Sequence, residues 1–230
     1  MSCSMGRLAR GGRVAWCGVA GVLAAGLMAW ALSAPDAQRL QRSARALGPQ
    51  AEQRAAALLS MMGRLDLRDI EQALGEVNRF FNRRVAFRDD REVWAAPDHW
   101  ASPLETLAKG AGDCEDFAIA KYFTLLAAGV SAEHMRLVYV RARIGGPSGV
   151  SQAHMVLAYY AHPETEPLIL DNLIDEIRPA SRRSDLTPVF SFNTEGLWQG
   201  VGAVSAGDPV ARLSRWREVL LKAAQEGFLP

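Results

Sequence analysis

The sequence predicts an α+β fold, because helical patterns fill its first half and strand patterns joined by short turns follow them. Apolar residues recur at helical spacing up to Gly129, where the pattern changes to short apolar runs bounded by turn residues. Hydrophobic residues make up 49% of the chain, which is enough for a substantial core. Helices and strands do not alternate, so a parallel sheet of repeated βαβ units is not expected.

Four helices are predicted from the apolar spacing and from residues that start or stop helices. They span about residues 36–63, 67–83, 114–128 and 209–226. In the third helix, Lys121 falls at the boundary of the apolar stripe. The segment from Val85 to Pro103 is predicted to be a long ordered loop, since Trp94 and Trp100 make it too aromatic for a linker.

Three strands are predicted at about residues 136–141, 153–160 and 168–170. If the turn that follows the second strand places Tyr160 opposite Pro167, then Asp171 lies opposite Val156. His154 then becomes the diagonal neighbour of Asp171 on the same face, within reach of a hydrogen bond. A register slip of one residue would put the two side chains on opposite faces.

Residues 1–34 are typical of an export signal. Three arginines precede an uncharged, mostly apolar run from Val14 to Leu32, and small residues suited to cleavage lie just before Pro35. The run fits both a cleaved signal peptide and an uncleaved membrane anchor through residues 14–32, so both interpretations stay open. In either case residues 35–230 are expected outside the cytoplasm as a single domain.

Charge and cysteine content narrow the functional classes. The formal net charge is +1, and without the first 34 residues the chain carries 23 basic and 25 acidic residues. No basic patch indicates binding to nucleic acid. Cys3 and Cys17 lie in the amino-terminal segment, so Cys114 is expected to be the only thiol of the folded domain and to have no disulfide partner there.

Cys114 is the strongest candidate nucleophile. It follows a glycine-containing loop and begins a helix, where the helix dipole favours the thiolate. His154 lies within a predicted strand and Asp171 at the end of the next one. Nucleophile, base and orienting carboxylate in this chain order are what thiol-dependent acyl chemistry needs.

Each of these residues also has an ordinary structural interpretation: a small buried hydrophobe, a hydrogen-bonded core histidine and an aspartate at a strand end. Their order and context favour the catalytic interpretation without excluding the structural one. The other histidines, His99, His134 and His162, lie in polar or turn contexts that suit exposed side chains better than a positioned base.

Three carboxylates surround the candidate nucleophile: Asp113, Glu115 and Asp116. Acidic residues at a helix start are ordinary, and Asp113 is a good N-cap. Three negative charges beside a thiolate would, however, raise its pKa, and a bound cation would remove that conflict. Clustered carboxylate oxygens suit Ca²⁺ better than Zn²⁺, although the spacing is not that of an EF-hand. Capping and calcium binding therefore both stay open.

Several motifs together resemble the bacterial transglutaminase-like cysteine peptidases, and within them the LapG-type periplasmic proteases. The resemblance covers about residues 65–200, most of the folded part. The motifs are GDCEDFAIAKY from Gly112, HMVLAY from His154, LDNL from Leu170, VNRFFN from Val77 and SFNTEGLW from Ser191.

The resemblance implies a papain-like, transglutaminase-like core in which Cys114 begins a helix packed on an antiparallel sheet that carries His154 and Asp171. It also implies a calcium-dependent cysteine endopeptidase with these three residues as its triad. Asp113 and Glu115 match ligand positions of the family for Ca²⁺, and Asp116 is added as a third expected ligand.

The resemblance further implies a periplasmic location and a large surface adhesin as substrate. Cleavage near a paired-alanine motif in the amino-terminal region of the adhesin would release it and promote biofilm dispersal. The implied partner is an inner-membrane receptor for cyclic diguanylate that sequesters the protease. Two alternatives stay open: a transglutaminase-type acyl transferase, and a non-catalytic, membrane-tethered binding module on the same scaffold.

Overall fold

The computed structural model describes residues 34–229 except Pro147 and Ala203. The predicted export signal therefore lies almost entirely outside the described residues. None of the described helices is long and apolar enough to cross a membrane. The helices are α1 (Ala34–Ala46), α2 (Pro49–Met62), α3 (Ile70–Arg84), α4 (Asp90–Val93), α5 (Pro103–Lys109), α6 (Cys114–Ala127), α7 (Pro209–Arg212) and α8 (Ser214–Glu226).

A short parallel pair and a large antiparallel sheet hold the strands. The parallel pair joins β1 to β2, and the sheet has the order β6-β5-β4-β3-β7-β8-β9. The strands are β1 (Ala86–Phe87), β2 (Ala111–Gly112), β3 (Met135–Ile144), β4 (Val150–Tyr159), β5 (Leu168–Leu170), β6 (Arg178–Pro179), β7 (Leu186–Phe192), β8 (Leu197–Gln199) and β9 (Ser205–Gly207).

The main core lies between one face of the large sheet and the helices. The central helix α6 packs on β3 and β4, while α3 and α5 pack on α6. Met155 and Leu157 of β4 are buried in this core together with Phe117 and Phe123 of α6. The opposite face of the sheet buries a smaller cluster that includes Val156. Residues buried on both faces make β4 a central strand, as the sequence predicts.

The predicted helix of residues 36–63 is two helices, α1 and α2. The chain breaks at Gly48, which has a φ of 112°, and Pro49 occupies the first turn of α2. A left-handed glycine followed by proline ends one helix and begins the next. The last predicted helix is also divided, because Leu213 leaves the helical region with φ −116° and ψ 91°. Gly227 ends α8 in the left-handed conformation, as predicted.

Two further segments differ from the prediction. The segment of residues 85–103 contains β1 and α4, and α5 begins at Pro103 behind Ser102, whose side chain caps it. Strands β6 to β9 were not expected, because they are short or irregular. In β7, Pro188 cannot donate a hydrogen bond, and the ladder with β3 shifts register between Tyr139 and Val140.

The predicted register of the β4–β5 hairpin is correct. Leu157 pairs with Leu170 and Tyr159 with Leu168, so Val156 stands opposite Asp171 if the ladder is continued by one residue. This pairing is what brings His154 and Asp171 to one place in the fold.

Candidate active site

Cys114 is the first residue of α6, separated from β2 only by the N-cap residue Asp113. The parallel pairing of Phe87 with Gly112 fixes the chain just before the helix. A Cβ atom at residue 112 would overlap the Asp116 carboxylate, so only glycine allows this close approach. The Asp113 N–H donates to Asp116 Oδ2 at 3.3 Å, which ties the start of the helix to its own first turn.

The sulfur of Cys114 lies in a negatively charged, largely buried environment. Its thiol donates to Glu115 Oε2 at 3.0 Å. Burial and then the charges of Glu115 and Asp113 raise the pKa of the Cys114 thiol, while a contact with the backbone N–H of Met155 lowers it. Burial and these neighbouring negative charges therefore favour the neutral thiol over the thiolate.

His154 is buried in β4, 3% exposed, and its Nε2 atom lies 2.8 Å from Asp171 Oδ1. The Asp171 carboxylate is ionised at neutral pH, because its pKa is lowered to about 2. Burial acts to raise that pKa, but the hydrogen bond and charge of His154, the Leu173 N–H and the Arg183 guanidinium outweigh burial. An ionised carboxylate can only accept, so Nε2 carries the proton and Nδ1 is left as the basic nitrogen.

Both carboxylate oxygens and the backbone carbonyl of Asp171 accept hydrogen bonds. Its Oδ1 atom also accepts from the Leu173 N–H at 3.1 Å, and its Oδ2 atom accepts from Arg183 Nη2 at 2.7 Å. The side chain of Asn82, from α3, donates to the Asp171 carbonyl at 2.9 Å. The carboxylate therefore has a fixed orientation toward His154.

The sulfur of Cys114 reaches β4 at the residue that follows His154. Strand β5 pairs with β4 only from Leu157 to Tyr159. The part of β4 before Leu157, which includes His154, is therefore not paired with β5. The Cys114 sulfur contacts the backbone of Met155 there, one residue from His154. His154 and Asp171 are thus paired where β5 ends, and the Cys114 sulfur reaches the same strand at the next residue, Met155.

The other histidines have different surroundings. His134 Nδ1 lies 2.8 Å from the Tyr160 carbonyl, and His162 is exposed in a turn. His99 stacks on Trp94 with 4.2 Å between the ring centroids. His162 is exposed as predicted, whereas His99 and His134 are half-buried, and the choice of His154 as the base stays a prediction.

The predicted calcium ligands lie among more carboxylates than the sequence indicates. Oxygens of Asp90, Asp113 and Asp116 come within 4.8 Å of one another, as do those of Asp90, Asp98 and Glu115. The Asp90 carboxylate accepts from the His99 N–H, and Asp116 Oδ1 accepts from the Ala101 N–H at 2.8 Å. The loop before α5 is thereby folded onto the start of α6.

Two of these carboxylate oxygens have no hydrogen-bond partner within the described part of the chain. Asp90 Oδ1 and Asp113 Oδ1 are buried and have no hydrogen-bond partner among the described residues. Burial, followed by the charge of neighbouring carboxylates, raises the pKa of Asp113, while Asp116 is raised chiefly by burial. Buried, unpaired carboxylate oxygens that repel one another are the donor set that a hard divalent cation neutralises.

Comparisons with known proteins identify the family of the chain. The profile described as bacterial transglutaminase-like cysteine proteinase matches residues 53–189, more than half of the chain. The chain belongs to this family. The α+β, transglutaminase-like fold predicted from the sequence is confirmed, and so is a cysteine peptidase at the level of the family. No curated protein sequence matches the chain.

Three solved structures are similar over most of the domain. Legionella pneumophila LapG is 38% identical, with a TM-score of 0.69, over 81% of this chain and 96% of that one. Its EGTA-treated form is 39% identical, with a TM-score of 0.71 over the same shares. Its calcium-bound form is 38% identical, with a TM-score of 0.68, over 81% of this chain and 98% of that one.

Two groups of residues near the site were not found from the sequence. Asp90 and Asp98 lie in the segment predicted to be a loop, where acidic residues carry no periodic signal. Arg183 follows a short helical turn and is only 4% exposed. In the sequence it stands next to a second arginine, at residue 182, which is exposed, so nothing local distinguishes the buried arginine from the exposed one. A weak signal for Asp90 existed, since Asp89-Asp90 precedes the aromatic stretch that folds onto α6.

Proposed function

We propose that this protein is a cysteine endopeptidase in which Cys114 is the nucleophile, His154 the general base and Asp171 the residue that orients the histidine. The observation that supports it most is the buried His154–Asp171 hydrogen bond of 2.8 Å, on the strand whose next residue, Met155, contacts the sulfur of Cys114 at a helix start through its backbone. Membership of a cysteine proteinase family supports the same reaction class.

In the proposed reaction, Cys114 Sγ attacks the carbonyl carbon of the scissile peptide bond, and the thiol proton passes to His154 Nδ1. The Cys114 N–H belongs to the first turn of α6 and has no carbonyl partner within the helix, so it can donate to the oxyanion. The imidazolium then protonates the leaving amine as the C–N bond breaks. Water, deprotonated by His154, hydrolyses the thioester and restores the thiol.

We also propose that the acidic residues at the start of α6 bind Ca²⁺. Asp113, Glu115 and Asp116 would supply oxygens, joined by Asp90 and Asp98 from the preceding loop. The two buried carboxylate oxygens without partners support this assignment, and a calcium-bound form is among the similar LapG structures. The ion would supply positive charge that offsets the carboxylates beside the Cys114 thiol.

The biological role is proposed from the resemblance. The substrate would be the amino-terminal region of a large surface adhesin, cut near a paired-alanine motif in the periplasm so that a biofilm disperses. An inner-membrane receptor for cyclic diguanylate would sequester the enzyme. The amino-terminal segment, with arginines before an apolar run, supports export.

The proposal is tested by incubating the purified full chain with the amino-terminal region of a candidate adhesin, with calcium or with excess EGTA. Two new fragments, with a cut beside paired alanines, are expected with calcium alone. A cross-linked or amine-tagged product would instead identify an acyl transferase, and unchanged substrate with saturating calcium would favour a binding module.

The calcium assignment has its own variants. Asp113→Ala should reproduce the effect of EGTA, while Glu164→Gln, which removes an exposed acid from a turn, should cleave normally. Calcium should also raise the melting temperature of the wild type but not that of Asp113→Ala, because an ion that binds only the folded state stabilises it. Full activity of a verified metal-free protein would contradict the assignment.

A further inference from the structure

Arg183 is a buried arginine that lies beyond the predicted catalytic residues. It is 4% exposed and follows a helical turn at residues 180–182. Its Nη2 atom donates to Asp171 Oδ2 at 2.7 Å and to Asp185 Oδ2 at 2.8 Å, and its Nε donates to Asp185 Oδ1 at 3.0 Å. The guanidinium therefore joins the buried carboxylate of Asp171 to a half-exposed one.

The backbone around the arginine is also fixed. The Arg183 N–H donates to the Ala180 carbonyl at 2.9 Å, and its carbonyl accepts from the Leu186 N–H at 3.0 Å. The Asp185 carbonyl accepts from the Arg143 N–H of β3 at 2.9 Å. The backbone that carries Arg183 is thus tied to the central strand β3 of the sheet.

We propose that Arg183 is a positioning residue that holds the Asp171 carboxylate against His154, an inference that rests on the proposed function. The Asp171 side chain is fully buried, and within residues 34–229 no other hydrogen bond to its Oδ2 atom is present. Without Arg183 that oxygen would be buried and unpaired, so the carboxylate would rotate toward other donors. The hydrogen bond to the imidazole would then loosen.

The neighbouring charges support a specific role for this arginine. His154 faces Asp171 from β4, and the buried Lys121 of α6 lies close enough to interact with its charge. No hydrogen bond joins Lys121 to the carboxylate among the described residues, so Lys121 does not fix the orientation of the carboxylate. Arg183, unlike Lys121, donates a hydrogen bond of fixed geometry to the Asp171 carboxylate.

The test compares Arg183→Met and Arg183→Lys with Arg182→Met, the adjacent exposed arginine, in the full chain with saturating calcium. The first readout is the downfield proton resonance of the His154 Nε2–H, which is visible only while that proton is hydrogen-bonded and protected. We expect Arg183→Met to lose this resonance, and Arg183→Lys and Arg182→Met to keep it. The protein contains four histidines, and a His154→Gln variant assigns the signal.

The second readout is cleavage of a fluorogenic peptide that contains two adjacent alanines. For Arg183→Met, kcat should fall about 10- to 100-fold with KM unchanged, which corresponds to the loss of one charge-assisted hydrogen bond. Arg183→Lys should recover most of that loss. If Arg183→Met does not fold, Asp185→Asn replaces it, because it removes the half-exposed anchor and should weaken the resonance.

An intact His154 resonance in folded Arg183→Met overturns the inference, whatever its activity. If Arg183→Met does not fold, an intact resonance in Asp185→Asn does so. If the wild type shows the resonance and Arg183→Met loses it, but the wild type cleaves no peptide, the inference stands and the proposed function is refuted, so the two failures are distinguishable.

Discussion

Replacing Lys121 by methionine tests how much the buried ammonium group of Lys121 destabilises the folded protein. The side chain is 1% exposed, although the sequence places it at the boundary of the apolar stripe. Burial lowers the pKa of Lys121 from 10.5 to about 7, and the charges of Asp171 and Asp175 only partly oppose the shift. The folded protein therefore binds the lysine proton much more weakly than the unfolded chain does.

The magnitude and its sign follow from the proton linkage. Between pH 7 and pH 10.5 the unfolded chain keeps the proton and the folded protein loses it, so stability rises with pH over this window. A shift of this size amounts to about 5 kcal/mol at roughly 1.4 kcal/mol per pH unit. At pH 6 the lysine is protonated in the folded state, which then bears the full free-energy cost of burying the charge. Lys121→Met is therefore expected to be more stable than the wild type by about 2–4 kcal/mol.

The measurement is urea unfolding of wild type, Lys121→Met and the exposed control Lys109→Met at pH 6, 7.5 and 9, followed by tryptophan fluorescence. The advantage of Lys121→Met over wild type should shrink steadily as the pH rises, while Lys109→Met should differ from wild type by a constant amount. A Lys121→Met protein that is equally destabilised at every pH would refute the reasoning, because it would mean that the buried lysine is charged and well paired.

Two further predictions concern buried carboxyl groups. Burial raises the pKa of Glu226 to about 7, so the stability of the wild type should fall by about 3 kcal/mol as pH rises from 4.5 through 7, and urea unfolding of Glu226→Gln should lack that fall. An equal slope in the two proteins would contradict this. The lowered pKa of Asp171 predicts about 2–3 kcal/mol of stability that is present above pH 4 and lost as pH falls toward 2, and acid titration of Asp171→Asn should show no such loss.

The sequence predicts the strand register and the helix start of the candidate site well, because local rules decide them. The turn after Tyr160 and the short strand β5 leave one register that buries both faces of β4, and that register places His154 beside Asp171. The position of Cys114 follows equally directly, since a glycine-containing loop before an apolar helix locates the helix start.

Other features depend on contacts between distant parts of the chain. Asp90 and Asp98 reach the start of α6 because the Asp116 carboxylate and the backbone at residue 101 fold the preceding loop inward. Arg183 is buried because it pairs with two carboxylates, and an exposed arginine precedes it in the chain. Neither arrangement has a periodicity that a sequence could display.

The break between α1 and α2 could have been predicted. Gly48-Pro49 is a pair of residues typical of a helix end followed by a helix start, and the described structure uses it in that way. By contrast, Pro188 argues against a strand at residues 186–192, yet β7 forms beside β3 with a shift in register. Here the burial of Phe192 in the main core outweighs the local rule.

The most direct test of the nucleophile is to trap the acyl-enzyme. Cleavage of a peptide with paired alanines would be quenched with acid early in the reaction, and the protein analysed by mass spectrometry. The account predicts a thioester between Cys114 Sγ and the amino-terminal fragment of the peptide, and neither thioester nor cleavage with a folded Cys114→Ala protein. Cleavage by that variant at the rate of the wild type would contradict the account.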